Sequence, residues 1–185
     1  MMGERRKVSV FSVLVLIVAL SALGVGAYSL YNYQQLISQV EPPKPLTRAF
    51  LNSSYAISSM GWKPVNFTVL DYDITGDFNI TSDRFTCPTS GYYLISAMLM
   101  FSDMNDGEWI FVAAAREGIL EAGSSAQASY NSSSLSTGFT DIVYLNESDY
   151  VEMFAYHSGS TPRTISGDSA GTYTYFTIAA TDILN

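Results

Sequence analysis

The residues able to do acid–base or metal chemistry are few and scattered. The chain has one histidine, His157, and one cysteine, Cys87. A general base or a metal centre needs partners, and neither residue has a second His or Cys to work with. The stretch Asp71-Tyr72-Asp73-Ile74-Thr75-Gly76-Asp77 resembles the start of a calcium loop. Carboxylates at alternate positions before a glycine turn can cage a hard cation. Position twelve, however, is Ser82 rather than Glu. Asp71, Asp73 and Asp77 therefore read either as a polar hairpin or as a weak calcium site. Asp103, Asp106 and Glu108 read as a second, solvated acidic loop. No nucleophile elbow, phosphate loop or paired-carboxylate motif stands out. The expectation is a protein that is not an enzyme and needs no cofactor.

Two other residue types carry covalent possibilities. A lone Cys87 rules out an intrachain disulfide. It reads as a small buried apolar residue or, alternatively, as an intersubunit bridge. Five Asn-x-Ser/Thr acceptors occur, at Asn52, Asn66, Asn79, Asn131 and Asn146, although the chain holds only eight asparagines. That excess fits an exported, glycosylated surface. Asn52 and Asn131 lie in Ser-rich stretches; Asn66 and Asn79 fall in expected strands.

The elements that position these residues begin with an export signal. Arg5-Arg6-Lys7 precedes an uncharged run from Val8 to Tyr28, 21 residues long. About 20 apolar residues cross a bilayer as a helix. The one-sided basic flank keeps the N-terminus cytoplasmic and sends the rest outward. A cleaved signal peptide, cut after Val25-Gly26-Ala27, is the other reading, and it leaves the remainder secreted. Both export the chain. The expected layout is a basic tail over 1–7, a membrane helix over 8–28, a short stalk and linker over 29–45, and a β domain over 46–185. Leu30, Tyr33, Ile37 and Val40 follow 3-4-3 spacing, either as the tail of the membrane helix or as a trimer stalk. Glu41-Pro42-Pro43-Lys44-Pro45 then ends the helix.

The net charge of -8 is uneven, +2 over residues 1–28 and -10 beyond them. An acidic outer part argues against binding nucleic-acid backbones, which takes Lys and Arg. The chain is rich in aromatic residues, with 13 Tyr and 10 Phe. Strands are expected at Val65–Tyr72, Arg84–Cys87, Tyr92–Phe101, Glu108–Ala115, Thr137–Tyr144, Tyr150–His157 and Thr172–Ala180. Polar connections lie between them, notably Asp103–Gly107, Gly123–Ser136 and Ser158–Gly171. Their number and spacing suggest a sandwich or jelly roll.

Three of these strands are apolar on both faces, where a sandwich strand should alternate. Tyr92, Leu94, Met98 and Met100 back onto Tyr93, Ile95, Ala97, Leu99 and Phe101. Tyr150, Phe154 and Tyr156 oppose Val151 and Met153. Tyr173 and Tyr175 oppose Phe176 and Ile178. Outer faces of this kind would form an exposed apolar patch in a monomer. Burial between subunits is the simplest remedy; loops or the N-terminal strand are the alternative cover.

The ordered set of short motifs resembles one family. Phe78-Asn79-Ile80-Thr81-Ser82-Asp83-Arg84-Phe85-Thr86-Cys87-Pro88 is similar to the hairpin of the complement component 1q globular head. Gly91-Tyr92-Tyr93-Leu94-Ile95-Ser96 resembles the strand that follows it. Tyr144-Leu145-Asn146-Glu147-Ser148-Asp149-Tyr150-Val151 resembles a later turn, with Ser148 in place of Gly. Thr174-Tyr175-Phe176-Thr177-Ile178 resembles the last strand, with Thr177 in place of Gly. Arg48-Ala49-Phe50 resembles the first. The resemblance implies an all-β, ten-strand jelly roll of the complement component 1q and tumour-necrosis-factor-like superfamily, assembled as a homotrimer. It also implies that Tyr92–Phe101, Tyr150–His157 and Thr172–Ala180 share the sheet facing the threefold axis. There is no collagen-like stalk, so complement binding does not follow.

The expected function is a membrane-anchored, extracellular trimeric module that recognises a protein or glycan ligand. A structural component of the cell envelope without a soluble ligand is the alternative.

Overall fold

The computed structural model describes residues 10–38, 42–58, 60–129 and 133–181; of residues 10–20, 22 and 23 only the backbone is described. The expected basic tail, Val40 and Asn131 lie outside the described residues. The chain divides into two units, Met1–Pro42 and Pro43–Asn185.

The first unit holds one helix, α1 (Val10–Ser38), of 29 residues. At 1.5 Å per residue it is about 43 Å long. The expected division at Tyr28 therefore leaves no break in the helix. Among the described residues no helix is long and apolar enough to cross a membrane.

The second unit is two packed sheets. Its strands are β1 (Leu46–Phe50), β2 (Tyr55–Ile57), β3 (Lys63–Pro64), β4 (Val69–Asp73), β5 (Phe78–Asn79), β6 (Arg84–Thr86) and β7 (Gly91–Ser102). They continue with β8 (Trp109–Arg116), β9 (Ile119–Gln127), β10 (Ser134–Leu145), β11 (Tyr150–His157), β12 (Arg163–Ile165) and β13 (Tyr175–Ala180). In the first sheet β7 is central. It pairs with β10 along one edge and with β13 and β12 along the other; β13 leads to β1 and β4, and β12 to β2. The second sheet runs β5-β6-β11-β8-β9, with β3 beside β11. Every described ladder is antiparallel.

Period-two alternation builds the core. Tyr93, Ile95, Ala97, Leu99 and Phe101 of β7 are all 2% exposed or less. They face Val151, Met153 and Ala155 of β11 and Ile110, Val112 and Ala114 of β8 within one cluster. Phe67, Phe78 and Phe176 pack ring against ring, with centroids 6.1 to 6.3 Å apart. Aromatic pairs at this spacing add to the stabilisation from burial.

Four expectations need correction. Tyr150–His157 does not share a sheet with Tyr92–Phe101; β11 lies in the second sheet, paired with β6, β3 and β8. The strand expected from Val65 starts at Val69, because side chains take the earlier amides: Tyr55 Oη accepts from Asn66 N and Asp83 Oδ1 from Phe67 N. The last strand starts at Tyr175, because Asp168 Oδ1 accepts from the amides of Thr172 and Tyr173. Much of the expected loop Gly123–Ser136 is strand, since β9 runs to Gln127 and β10 begins at Ser134. Gly123 lets β9 close on β8: a Cβ there would lie 2.6 Å from the Val112 carbonyl oxygen.

Candidate assembly face and binding loops

Antiparallel register fixes which side chains share a face. Tyr92, Leu94, Met98 and Met100 point away from the core along β7. In register beside them on β10 stand Tyr144, Ile142, Gly138 and Ser136. On the other edge Ala179 stands beside Leu94 and Tyr175 beside Met98. β1 adds Leu46 opposite Ala179 and Phe50 opposite Tyr175. The result is an outer face on the first sheet with two apolar zones, separated by a polar row of Thr140, Ser96, Thr177 and Arg48 in register across β10, β7, β13 and β1. Thr140 Oγ1 donates to Ser96 Oγ within that row.

This face is partly open to solvent in the single chain. Leu94, Ile142 and Tyr144 are 37%, 43% and 48% exposed. Tyr92, Met98, Met100 and Tyr175 are half-buried, and Tyr173 is exposed just ahead of β13. At the far end Arg48 lies over Phe50 and Tyr175, 5.5 and 5.2 Å from the ring centroids. Its Nη1 donates to Asp71 Oδ2 at 2.8 Å and its Nη2 to the Gly171 carbonyl. The sequence reading missed Ile142, Tyr144, Leu46 and Ala179. Alternation within Gly138-Phe139-Thr140-Asp141-Ile142-Val143-Tyr144 carries a signal, but only the pairing of β10 with β7 assigns it a face.

The remaining candidate face residues sit elsewhere. Tyr150, Phe154 and Tyr156 lie half-buried on the outer face of the second sheet. Arg84 covers Tyr150 at 4.2 Å from its centroid, and its Nε donates to Glu152. Tyr156 joins Trp62, Phe111 and Trp109 in a second aromatic cluster with centroid spacings of 5.6 to 6.3 Å. Register places Phe111 opposite Tyr156. Neither tryptophan was singled out in the sequence.

The acidic candidates are engaged within the protein. Asp71 pairs with Arg48. Asp73 accepts from Thr47 Oγ1 and from the amides of Asp77 and Phe78, and Asp77 accepts from Thr75 Oγ1. These bonds close the β4–β5 turn. Among the described residues no group of three or more His, Cys, Asp or Glu could hold a metal ion. In the second acidic loop Glu108 is bound by Arg163: the guanidinium beside it lowers its pKa to about 2.

Asn52, Asn66, Asn79 and Asn146 are all exposed. Asn66 lies in the connection before β4 rather than in a strand, and Asn79 ends β5. Asn79 Oδ1 accepts from the amides of Thr81 and Ser82, shaping the β5–β6 turn. Among the candidate loops, 158–171 is interrupted by β12. Asp168 ties its second half by four bonds, two of them to Thr172.

No family model matches the chain. No curated protein matches it either. Solved structures do. The tumour necrosis factor Eiger of S. frugiperda superposes with a TM-score of 0.59 at 10% identity, covering 78% of this chain and 96% of that one. The globular domain of the zebrafish complement 1qA protein superposes at 0.55 and 16% identity, covering 75% and 97%. Murine APRIL superposes at 0.56 and 11% identity, covering 75% of this chain and all of its own, at 100%. The β domain of this chain thus has the complement-1q and tumour-necrosis-factor-like jelly-roll fold.

Proposed function

We propose that this chain is a membrane-anchored, outward-facing recognition module whose jelly rolls assemble in threes and bind a protein or glycan ligand. The outer face of the first sheet carries the reading. Leu94, Ile142 and Tyr144 stand together on it with 37 to 48% of their surface exposed. Burying such a face against identical copies is favourable by about 25 cal/mol for each Å² of apolar surface removed from water. Aromatic and Met enrichment with few charges is the composition of an interface core. The exposed acceptors Asn52, Asn66, Asn79 and Asn146 all lie outside β1, β7, β10 and β13, so glycans on them would not have to be buried with that face. Arg5-Arg6-Lys7 and the uncharged run to Tyr28 support the anchor and its orientation. A trimer presents three copies of each loop, and weak contacts gain by avidity.

Light scattering of the purified chain tests the assembly: a threefold mass supports the reading, and a monomer at micromolar concentration removes it. Retention of the chain on glycan or cell-surface protein arrays tests recognition.

A second reading, a structural envelope component, draws on a different surface. Trp62 and Trp109 remain 39% and 41% exposed on the second sheet, and assembly through the first sheet leaves them uncovered. Lateral packing of trimers through these rings would build an array, visible as a lattice in images of the native surface.

A further inference from the structure

His157 ends β11 in the second sheet, and its ring reaches across to the first. Nε2 lies 3.4 Å from the carbonyl oxygen of Ile57 in β2. The ring meets Phe101 of β7 edge-on, with centroids 5.6 Å apart. The residue is 1% exposed, and Nδ1 is buried without a hydrogen-bond partner. A neutral imidazole that donates from Nε2 leaves Nδ1 as a bare acceptor. A proton arriving there would create a donor without an acceptor and a charge cut off from water.

The surroundings offer only partial relief: the backbone of Ile57 and Ser58 and the Glu108 carboxylate favour the charged ring, but burial outweighs them. From β12, Arg163 faces this end of the sandwich. From the residue before β8, Glu108 faces it too, but that carboxylate is committed: Arg163 Nε donates to Glu108 Oε2 at 2.8 Å, and Nη2 donates to Oε1. Asp103, after β7, acts on Arg163 rather than on the imidazole. β2 presents the Ile57 carbonyl, β7 the Phe101 ring, and β8 the apolar Ile110. Burial first, and the Arg163 charge with it, hold the imidazole below its ordinary pKa.

The elements on the far side of the ring have short ladders, and β12 is held besides by the Arg163–Glu108 pair. β12 is registered to β7 at only two positions, Thr164 with Ser102 and Ile165 with Phe101. β2 is paired to β12 alone. A short ribbon with few ladder bonds opens before the rest of a sheet does.

We propose that His157 is an acid-sensitive latch between the two sheets, whose protonation at the partnerless Nδ1 leaves a charge and an unmatched N–H in the closed core and so favours opening of the β2–β12 ribbon together with the flanking parts of 158–171. The closed form is fully favoured above the unfolded imidazole value of about 6.5. Below it, the open form binds the proton more readily, so the closed form loses ground as pH falls towards the lower folded value. Glu108 titrates only near 2 and stays charged throughout this window. The latch does not depend on the oligomeric state or on any ligand.

Amide hydrogen exchange of the full chain, corrected for intrinsic rates, tests it at pH 7.5 and pH 5. Protection at Ile57, Thr164 and Ile165 should fall about tenfold for each unit of depression of the imidazole pKa that lies within the window. Protection along β7 and β13 should hold. His157→Gln, which cannot take up the proton, should lose the pH response. Unchanged ribbon protection at pH 5 overturns the latch, as does an equal response in His157→Gln. The imidazole titration of the unmodified chain, followed by NMR, gives a readout that does not depend on the variant folding. A folded pKa below 6.5 supports the latch, and one at or above 6.5 overturns it.

Discussion

Tyr144 meets Tyr92 edge-on across the paired strands β10 and β7, with ring centroids 5.2 Å apart and planes at 73°. The two rings stand on the outer face of the first sheet next to Leu94 and Ile142, which are directly paired in register. The four side chains form an apolar patch that no described residue of the chain covers fully.

The first prediction concerns that patch. Leu94 is 37% exposed in the single chain, so Leu94→Asp should change its folding stability by only about 0.5 kcal/mol. In an interface the same carboxylate would be buried without a partner. That penalty is several kcal/mol, or at least about a hundredfold in association. Sedimentation velocity should show smaller species for the variant, while circular dichroism stays unchanged. An assembly of undiminished mass would take this face out of the interface.

The Glu108–Arg163 pair should matter to folding rather than to assembly. Its side chains are 14% and 9% exposed, and Thr161 and Asn105 add further bonds to them. Glu108→Ala leaves the guanidinium without its carboxylate and should lower stability by about 1.5 to 3 kcal/mol in urea unfolding. Because the folded carboxyl sits near 2, its contribution is present above the ordinary carboxylate range and disappears as pH falls from there towards 2. Acid titration of the unfolding midpoint should therefore show a loss below about pH 4.3 that the variant lacks. Equal acid sensitivity in both proteins would contradict the pairing.

Close approach of β9 to β8 sets a third prediction. The Cβ of an alanine at position 123 would lie 2.6 Å from the Val112 carbonyl oxygen and 3.1 Å from Ala113 Cβ. Backbone must move to admit it. Gly123→Ala should lower stability by about 1 to 3 kcal/mol, the range for forced overpacking. Thermal unfolding measures it, and an unaltered midpoint would mean that β9 stands further from β8.

How far the sequence foretold these features depends on whether a side chain's own neighbours in the chain reveal its role. β7 reads directly, because ten alternating residues declare both a core face and an outer face. The small, polar β9 does not read at all; Gly123, Ser124 and Ser125 have low strand preference and become a strand only by pairing with β8. Tyr150–His157 was legible as a strand but not as a member of a particular sheet, since sheet membership is set by long-range register. Pairing decides the candidate face in the same way: Leu94 was visible alone, whereas Ile142 and Tyr144 became part of it only through β10. His157 looked isolated because its neighbours Ile57, Phe101, Glu108 and Arg163 converge from four separate segments.

The last prediction concerns the single thiol. Cys87 is 1% exposed and belongs to the core cluster. Its Sγ donates to the Thr89 carbonyl at 3.1 Å, and Tyr93 Oη donates to the same oxygen at 2.8 Å. Burial pushes the thiol pKa up. Reaction with a disulfide reagent requires both access and the thiolate, and this residue has little of either. The folded chain should therefore react slowly, and denaturant should release one thiol per chain at the rate of a free cysteine. Non-reducing electrophoresis of the native assembly should show single chains. A disulfide-linked dimer would instead demand that the β6–β7 connection open at Cys87, and with it the packing of Tyr93 against Phe85, whose centroids lie 5.7 Å apart.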